Sequence, residues 1–249
     1  MLATISANNI SYKINLSKPI DISIALTDTE ENPLAWYIDA PKISPVILGD
    51  WEGKVSEGAA VNFNNIYFNP HAHGTHTECL GHITKEFHSV NDALASFFFI
   101  AEIITISPTL VHEDAVLMLE DISEKLKEKK PQAVIIRTLP NTAAKKTRQY
   151  NHTNWPYLDH KAAIFLRELG VQHLLIDLPS VDKEKDEGSL LAHKAFWNIP
   201  EAPRTKATIT EFIYVPDHVL DGTYLLNLQV APFHNDASPS RPVLYELQK

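Results

Sequence analysis

The side chains best suited to chemistry in this sequence lie in one short segment, residues 71–82. The segment reads His-Ala-His-Gly-Thr-His-Thr-Glu-Cys-Leu-Gly-His and holds four of the chain's 12 histidines together with a carboxylate, Glu78. Neutral imidazoles and a carboxylate are common ligands of Zn²⁺ and Mn²⁺ in proteins. The same groups also carry protons near neutral pH. The segment therefore predicts a metal site, an acid–base site, or both.

Spacing divides these side chains if the segment is extended. Side chains two residues apart lie on the same face of a strand. His76, Glu78 and His82 would then share one face, while His71 and His73 would lie on the other. This alternation places His76 and Glu78 where both can hold one ion, with His82 nearby as a third ligand or a proton carrier.

Ala72 falls on the same face as His76 in this scheme, and its methyl group cannot bind a metal. A bulge at Gly74 would reset the alternation and bring His71 round to the metal face. An alternative interpretation needs no metal, because hydrogen-bonded histidines also occur in cores and on surfaces. Cys79 has the opposite parity to Glu78, which favours a small buried residue over a nucleophile. The segment lacks the His-Glu-x-x-His pattern of zinc peptidases.

Composition limits the class of protein. The chain has 249 residues, of which 44% are hydrophobic and 21% charged, as expected for a folded domain with a substantial core. Its net charge of −9 disfavours a nucleic-acid-binding surface. A single cysteine excludes an intramolecular disulfide. The N-terminus lacks a signal-peptide pattern, and the most apolar run, 93–106, is too short to span a membrane. We expect a soluble cytoplasmic protein.

Strand and helix patterns alternate in the middle of the chain, which predicts an α/β fold. Strands are expected at 20–26, 61–68, 97–106, 133–137, 171–177, 224–231 and 242–247. Helices are expected at 114–127 and 157–169, where apolar residues recur at helical spacing and are followed by Pro131 and Gly170. The segment 32–53 is expected to form a loop.

The segment 74–82, Gly-Thr-His-Thr-Glu-Cys-Leu-Gly-His, resembles the Gly-Thr-His-x-Asp-x-Pro-x-His signature of the cyclase family of metal-dependent hydrolases. That family includes arylformamidases such as kynurenine formamidase, and isatin hydrolase. Companion segments in the same order extend the likeness over most of the chain, from about residue 20 to residue 247. They are 135–138, 155–158, 174–182, 190–193, 226–228 and 238–243.

The resemblance implies a swivelling β/β/α architecture for residues 1–249 as a single domain, usually assembled as a homodimer or homotetramer. It implies a divalent metal, Zn or Mn, held by His76, Glu78 and His193. His82 would be the proton-transfer residue beside the metal-bound water. The implied reaction is hydrolysis of an amide-type C–N bond in a small molecule, with N-formylkynurenine as the best-known substrate class.

The sequence departs from the family pattern at three places. The family's first histidine ligand corresponds to Ala72, and its aspartate corresponds to Glu78, which is longer by one methylene. The family's late acidic ligand precedes an Asn-Leu pair, but no acid aligns before the pair at 227–228, where Asp221 is two residues off register. We therefore expect one ion rather than two. Whether His71 or Asp221 replaces a missing ligand stays open.

Other polar and aromatic side chains receive structural roles by default. His193 on its own would be a packed helical histidine, and 234–236 looks like a turn. Asp177 and Asp182 are assigned to a turn. The aromatic side chains are assigned to core packing, with an aromatic substrate pocket as the alternative, and they are Trp36, Tyr37, Trp155 and Phe233.

The sequence thus favours a cytoplasmic metal-dependent hydrolase of an amide-like bond. A catalytically silent relative that serves as a binding or assembly module is the main alternative, because Ala72 and the absent late acid weaken the ligand set. A lyase or a cyclisation reaction with the same metal and histidines is a third possibility, and only the products would distinguish it.

Overall fold

The computed structural model describes residues 1–7 and 10–248. Strands are found in every part of these ranges. The strands are β1 (Leu2–Ala7), β2 (Ile10–Asn15), β3 (Ile20–Asp21), β4 (Lys42–Pro45), β5 (Ile47–Leu48), β6 (Trp51–Glu52), β7 (Asn64–Tyr67), β8 (His76–Cys79), β9 (Phe98–Ile106), β10 (Thr109–Val111), β11 (Asp114–Leu117), β12 (Ala133–Thr138), β13 (Tyr157–Leu158), β14 (His173–Ile176), β15 (Thr208–Glu211), β16 (Gly222–Asn227), β17 (Ala237–Pro239) and β18 (Val243–Glu246).

The helices are short. They are α1 (Pro70–His73), α2 (Val90–Ala93), α3 (Leu119–Lys125), α4 (His160–Glu168) and α5 (Leu191–Trp197). Short 3₁₀ turns lie at Val55–Glu57, Leu80–His82 and Ala143–Lys146.

A nine-stranded mixed sheet organises the fold. Its order is β17-β8-β15-β14-β12-β9-β16-β18-β3, and its central strands β15, β14, β12 and β9 are parallel. Strands β8 and β17 extend one side of the sheet in antiparallel pairing. The parallel strands are connected through helices, as in other α/β proteins. The predicted α/β class is confirmed.

Both faces of the central sheet are covered. On one face, Val134 and Ile136 of β12 belong to the same buried apolar cluster as Leu166 of α4. On the other face, Ala133 and Ile135 pack in a second cluster. A strand buried on both faces has no polar face, which explains the continuous apolar run at 133–136.

Strands β9, β12 and β14 confirm the strands expected at 97–106, 133–137 and 171–177. Strands β7, β16 and β18 confirm those expected at 61–68, 224–231 and 242–247, and each of these last three is shorter than expected. Two other expectations were partly wrong. Only Ile20–Asp21 of the segment 20–26 is a strand, and the expected loop at 32–53 contains β4, β5 and β6.

Both predicted helices begin later than expected. Residues 114–117 form β11, which pairs with β10 and β13, and helix α3 starts at Leu119. Residues 157–158 form β13, and α4 starts after Asp159, whose side chain accepts a hydrogen bond from the Lys161 amide. An N-cap of this kind satisfies an amide that has no partner inside the helix. The apolar residues at the start of each pattern therefore serve strands.

No helix in the described ranges 1–7 and 10–248 is long and apolar enough to cross a membrane.

The buried side chain of His173, at the start of β14, is expected to make the stability of the fold depend on pH. Its side chain is 1% exposed, its Nδ1 lies 2.8 Å from Thr208 Oγ1, and its ring packs against Phe99. Burial lowers the pKa of His173 to about 3. Because the unfolded chain binds this proton with a pKa of about 6.5, stability conferred by neutral His173 is present above pH 6.5 and falls as the pH drops toward 3.

We expect the metal-free wild type to lose about 2 kcal/mol more stability than His173→Asn between pH 7 and pH 5. Asparagine retains a polar group for Thr208 but does not titrate in this range. Urea unfolding of both proteins at the two pH values, in the presence of a chelator, measures the difference. Equal losses in the two proteins would show that His173 is not held neutral.

Candidate metal centre

Glu78, fully buried on β8, is the hub of the histidine cluster. Its Oε1 lies 3.0 Å from His193 Nε2, and its Oε2 lies 3.0 Å from His71 Nδ1 and 3.8 Å from His82 Nε2. Two groups of possible ligands share this carboxylate. One joins it with His71 and His76, and the other joins it with His82 and His193. The four residues predicted for the site therefore meet at Glu78, with His76 in the group on one side of this carboxylate and His82 and His193 in the group on the other side.

Strand β8 places His76 and Glu78 on one face, as the alternation predicted. The alternation fails before Gly74, because residues 70–73 form the helical turn α1. Pro70 occupies the first turn, and the side chain of Asn69 caps it by accepting a hydrogen bond from the His71 amide at 2.9 Å. This turn directs His71 to Glu78 without a bulged strand. The strict two-residue period put His71 on the other face but left open that a change of backbone direction would bring it to the cluster, and the turn α1 is that change.

His73, the other member of that face, points away from Glu78. Its Nδ1 accepts a hydrogen bond from the Asn69 amide at 2.9 Å, and its Nε2 lies 2.9 Å from the Asp39 carbonyl oxygen. Both ring nitrogens are thereby committed to the backbone. His73 therefore helps to hold the loop that carries α1.

His82 follows β8 in the 3₁₀ turn Leu80–His82. Gly81 is required in this turn, because a Cβ there would lie 2.5 Å from the His88 carbonyl oxygen. The side chain of His82 is 32% exposed, whereas those of His71, His76 and His193 are 19%, 1% and 2% exposed. His82 is therefore the cluster histidine most accessible to a small molecule from solvent.

His193 lies in a helix, α5, as expected for it on its own, but it is more than a packed histidine. The carboxylate of Asp182 accepts hydrogen bonds from the Ala192 amide at 2.7 Å and from His193 Nδ1 at 2.6 Å. Asp182 thus caps the start of the helix and fixes the imidazole, leaving Nε2 directed at Glu78. The turn role predicted for Asp182 was incomplete, since this side chain orients a site residue. Carboxylates that hold the second nitrogen of a histidine are typical of metal sites.

Asp236 is a site residue that the sequence did not reveal. Strand β17 pairs with β8 so that Ala237 lies opposite Glu78, and this pairing brings the preceding residue to the cluster. Asp236 Oδ2 lies 2.9 Å from His71 Nε2 and 3.6 Å from His82 Nδ1. The hydrogen bond from His71 and the nearby imidazole of His82 hold the pKa of Asp236 well below its usual value. The assignment of 234–236 to a simple turn missed this contact.

The two imidazoles next to Asp236 are stacked. The ring centroids of His71 and His82 are 4.1 Å apart, with 24° between their planes. Burial disfavours a charge on His71, but its hydrogen bond to Asp236 and the adjacent carboxylate of Glu78 raise the pKa of this imidazole to about 10. In the absence of another cation, His71 therefore carries a positive charge between two carboxylates.

Glu211, on β15, is the second missed acid. In the register of β15 with β8 it lies opposite His76, and the two atoms Glu211 Oε2 and His76 Nε2 are 3.5 Å apart. Its Oε1 accepts a hydrogen bond from the Val181 amide and lies 3.8 Å from His193 Nε2. A buried carboxylate thus closes the side of the cluster opposite to Asp236.

Asp221 does not reach the cluster. Its carboxylate binds Arg137 Nη2 at 3.0 Å and Thr105 through both the amide and the hydroxyl group. The open question about Asp221 is therefore answered: it does not replace the late acid, because its oxygens serve an ion pair beside β9 and β12.

Cys79 has the structural role that its parity predicted. It is completely buried, and it packs with Val90 and Ala93. Burial raises the pKa of its thiol to about 11, which suppresses the thiolate that a nucleophile requires.

The buried donor set fits a divalent metal ion. His76 Nδ1 lies 3.0 Å from the Gly74 carbonyl oxygen, so its proton is held there and the Nε2 lone pair faces the cluster. Neither His76 Nε2 nor Glu78 Oε2 has a hydrogen-bond partner within the described chain. Each unpaired buried polar atom costs about 1–3 kcal/mol. Imidazole nitrogens and a carboxylate oxygen are also the ligands that Zn²⁺ and Mn²⁺ prefer.

The chain is similar to known proteins over most of its length. The family model described as "Putative cyclase" matches residues 14–183. A kynurenine formamidase of Bacillus anthracis is 30% identical over 230 residues, which are 92% of this chain and 97% of the relative. A kynurenine formamidase of Bacillus thuringiensis (strain Al Hakam) is 28% identical, over 93% of this chain and 96% of the relative.

Solved structures share the fold. An isatin hydrolase bound to the product analogue thioisatinate superposes with a TM-score of 0.66 at 15% identity, over 93% of each chain. A predicted metal-dependent hydrolase from Bacillus stearothermophilus gives a TM-score of 0.64 at 17% identity, over 92% of this chain and 98% of that structure. With its histidine cluster, its mixed sheet and a family match over more than half its length, the chain belongs to the cyclase family.

Proposed function

We propose that the protein is a metal-dependent hydrolase that cleaves an amide-type C–N bond in a small molecule, with aryl formamides such as N-formylkynurenine as the substrate class. The observation that carries the proposal is the convergence of four imidazoles on the buried carboxylate of Glu78, where His76 Nε2 and Glu78 Oε2 lack a hydrogen-bond partner among residues 1–7 and 10–248. The formamidases that resemble the chain over more than nine-tenths of its length support the reaction class.

In this proposal Glu78 is the central ligand, with His76 and His193 as the imidazole ligands on its two sides, and the ion that these residues would hold is Zn²⁺ or Mn²⁺. An ion held there would lower the pKa of a coordinated water molecule and polarise the substrate carbonyl. Glu78 presents one oxygen to each side of the cluster, and Asp182 keeps His193 Nε2 directed at it. The burial of all three ligands excludes bulk water, which strengthens their hold on the ion.

His82 moves the proton in this reaction. It stands at the exposed side of the cluster, between Glu78 and Asp236, where a substrate enters. Cleavage of an amide requires a proton on the departing nitrogen, and an imidazole is suited to deliver it. Asp236 orients the ring of His82 through Nδ1, which leaves Nε2 on the side of the metal ligands.

The aromatic character of the substrate is supported by two phenylalanines. Phe68 and Phe233 pack against each other with ring centroids 6.1 Å apart, and each stands three residues before a cluster residue, His71 and Asp236 respectively. Phe233 is 45% exposed, so part of its ring is free to contact a ligand. Trp155, by contrast, is buried with Trp36 in the core, as its default role predicted.

Two observations favoured a catalytically silent relative, namely Ala72 and the absence of the late acid. At the cluster, however, His71 supplies an imidazole and Glu211 supplies a carboxylate. The homo-oligomeric assembly, the single-domain organisation and the cytoplasmic location remain predictions.

Metal removal tests the proposal. Purified protein is expected to hydrolyse N-formylkynurenine to formate and kynurenine in equal amounts. Complete removal of metal by a chelator is expected to lower kcat/KM by about 100-fold or more, and Zn²⁺ or Mn²⁺ is expected to restore it. Elemental analysis must show that the metal has gone. Full activity in metal-free protein would contradict the mechanism, and turnover without formate would favour the lyase or cyclisation alternative.

A further inference from the structure

We propose that His71 is itself a metal ligand through Nδ1, and that Asp236 is the positioning residue that holds its ring. This inference rests on the proposed metal centre and deepens it, because His71 lies outside the ligand set His76, Glu78 and His193. It assigns to this chain a ligand that enters from the helical turn α1, one residue before Ala72.

The first argument is the contact between His71 and Glu78. His71 Nδ1 and Glu78 Oε2 are 3.0 Å apart, yet Glu78 Oε2 has no hydrogen-bond partner in the described part of the chain. The two atoms are therefore close without the angle of a hydrogen bond. Two ligand atoms that each lie about 2.1 Å from one zinc ion are roughly 3.0 to 3.4 Å apart at bond angles between 90° and tetrahedral. The observed separation fits adjacent ligands of one ion.

The second argument is the opposite edge of the same ring. His71 Nε2 lies 2.9 Å from Asp236 Oδ2, with the geometry of a hydrogen bond. With the Nε2 proton held by this carboxylate, an ion that displaces the second proton would meet the Nδ1 lone pair, which faces Glu78 Oε2. His193 is held by Asp182, and His76 by the Gly74 carbonyl, in the same manner. Each of the three rings thus has one nitrogen fixed by an oxygen and the other directed into the cluster, as in carboxylate–histidine–metal sites.

The third argument is the local fold. The Asn69 cap and Pro70 fix α1, so His71 is presented to the cluster by a defined turn. The side chain of His71 is four-fifths buried and shares its group of possible ligand atoms with His76 and Glu78. The methyl group of Ala72 offers no ligand from the next position. His71 therefore supplies a third donor on the Oε2 side of Glu78.

Metal affinity and imidazole spectroscopy test this role without relying on activity. Zn²⁺ affinity is measured by competition with a chelating dye for the wild type, His71→Ala, Asp236→Asn and His234→Ala. His234 is the matched control, because it is an exposed histidine two residues from Asp236 that packs on Phe87. We expect His71→Ala to weaken Zn²⁺ binding by about 100-fold or more and Asp236→Asn by about 10-fold to 100-fold. His234→Ala should bind as the wild type does.

Nitrogen NMR of the Zn²⁺-loaded wild type identifies the atom. We expect His71 to show a metal-bound Nδ1 and a protonated Nε2, and the absorption spectrum of the Co²⁺ form to change in His71→Ala. Wild-type affinity in His71→Ala, or two protonated nitrogens on His71 in the loaded protein, would overturn the inference while leaving the metal centre intact. Failure of the wild type to bind any metal would overturn the proposed function as well. If His71→Ala does not fold, the wild-type spectrum decides the question.

Discussion

Glu78→Gln is expected to abolish stoichiometric metal binding and to lower kcat/KM by on the order of 1,000-fold or more. Glutamine has the shape of glutamate, but it lacks the negative charge that a buried cation requires. Its amide can also present an acceptor oxygen to only one side of the cluster, whereas the carboxylate presents one oxygen to His193 and the other to His71. The substitution therefore removes ligation on one side without changing the volume of the core.

Glu102→Gln is the matched control for this substitution. Glu102 is also a buried strand carboxylate, but it lies on β9, where it binds Lys129 and accepts a hydrogen bond from the Thr223 hydroxyl at 2.8 Å. We expect this variant to keep its metal and its activity even if its unfolding free energy falls. Elemental analysis and steady-state kinetics of both variants measure the contrast. A Glu78→Gln protein that retained bound metal would show that the hub of the cluster is not a ligand.

The part of the site that sequence could predict is the part that lies in one strand. His76 and Glu78 share a face because β8 is a regular strand paired on both sides, so the two-residue period holds there. The position of His71 stayed open, because the two-residue period does not hold through α1. A local signal for the turn was present, since Asn69 followed by Pro70 is a helix start with a cap and a first-turn proline.

Glu211 and Asp236 carried no comparable signal. Both reach the cluster through strand pairing across more than 100 residues of sequence, β15 with β8 and β17 with β8. Which residue lies opposite His76 or Glu78 depends on the register of these pairs, and a shift by one residue would turn the side chain to the other face. Short strands such as β17 and β15 do not encode their register in their own residues. The two acids were therefore beyond what the sequence pattern could assign.

Burial and strand pairing also decide which of the central elements could be predicted from the sequence. The parallel strands β9, β12 and β14 were predictable, because burial on both faces leaves continuous apolar runs. The segment 114–117 was assigned to a helix because its apolar residues also fit helical spacing. It forms the strand β11 instead, because it pairs with β10 and β13.

His82→Ala is expected to lower kcat by about 100-fold to 10,000-fold for an aryl formamide, with no loss of bound metal. His82 is the most exposed imidazole of the cluster, and its nitrogens face Glu78 and Asp236 at 3.8 and 3.6 Å without closer contacts to them. Its removal therefore leaves the buried ligands in place. His88→Ala is a suitable control, because His88 is a nearby histidine outside the ligand groups.

The leaving group separates proton transfer from mere positioning by His82. An aryl formate ester releases a phenolate that needs little help from an acid, whereas an aryl formamide releases an amine that must be protonated. If His82 delivers this proton, the loss of kcat in His82→Ala will be much larger for the formamide than for the ester. Equal losses for the two substrates would instead mean that His82 only shapes the site, and a fall in metal content would make it a ligand. Steady-state kinetics on the paired substrates, with metal content measured on the same samples, distinguishes the three roles.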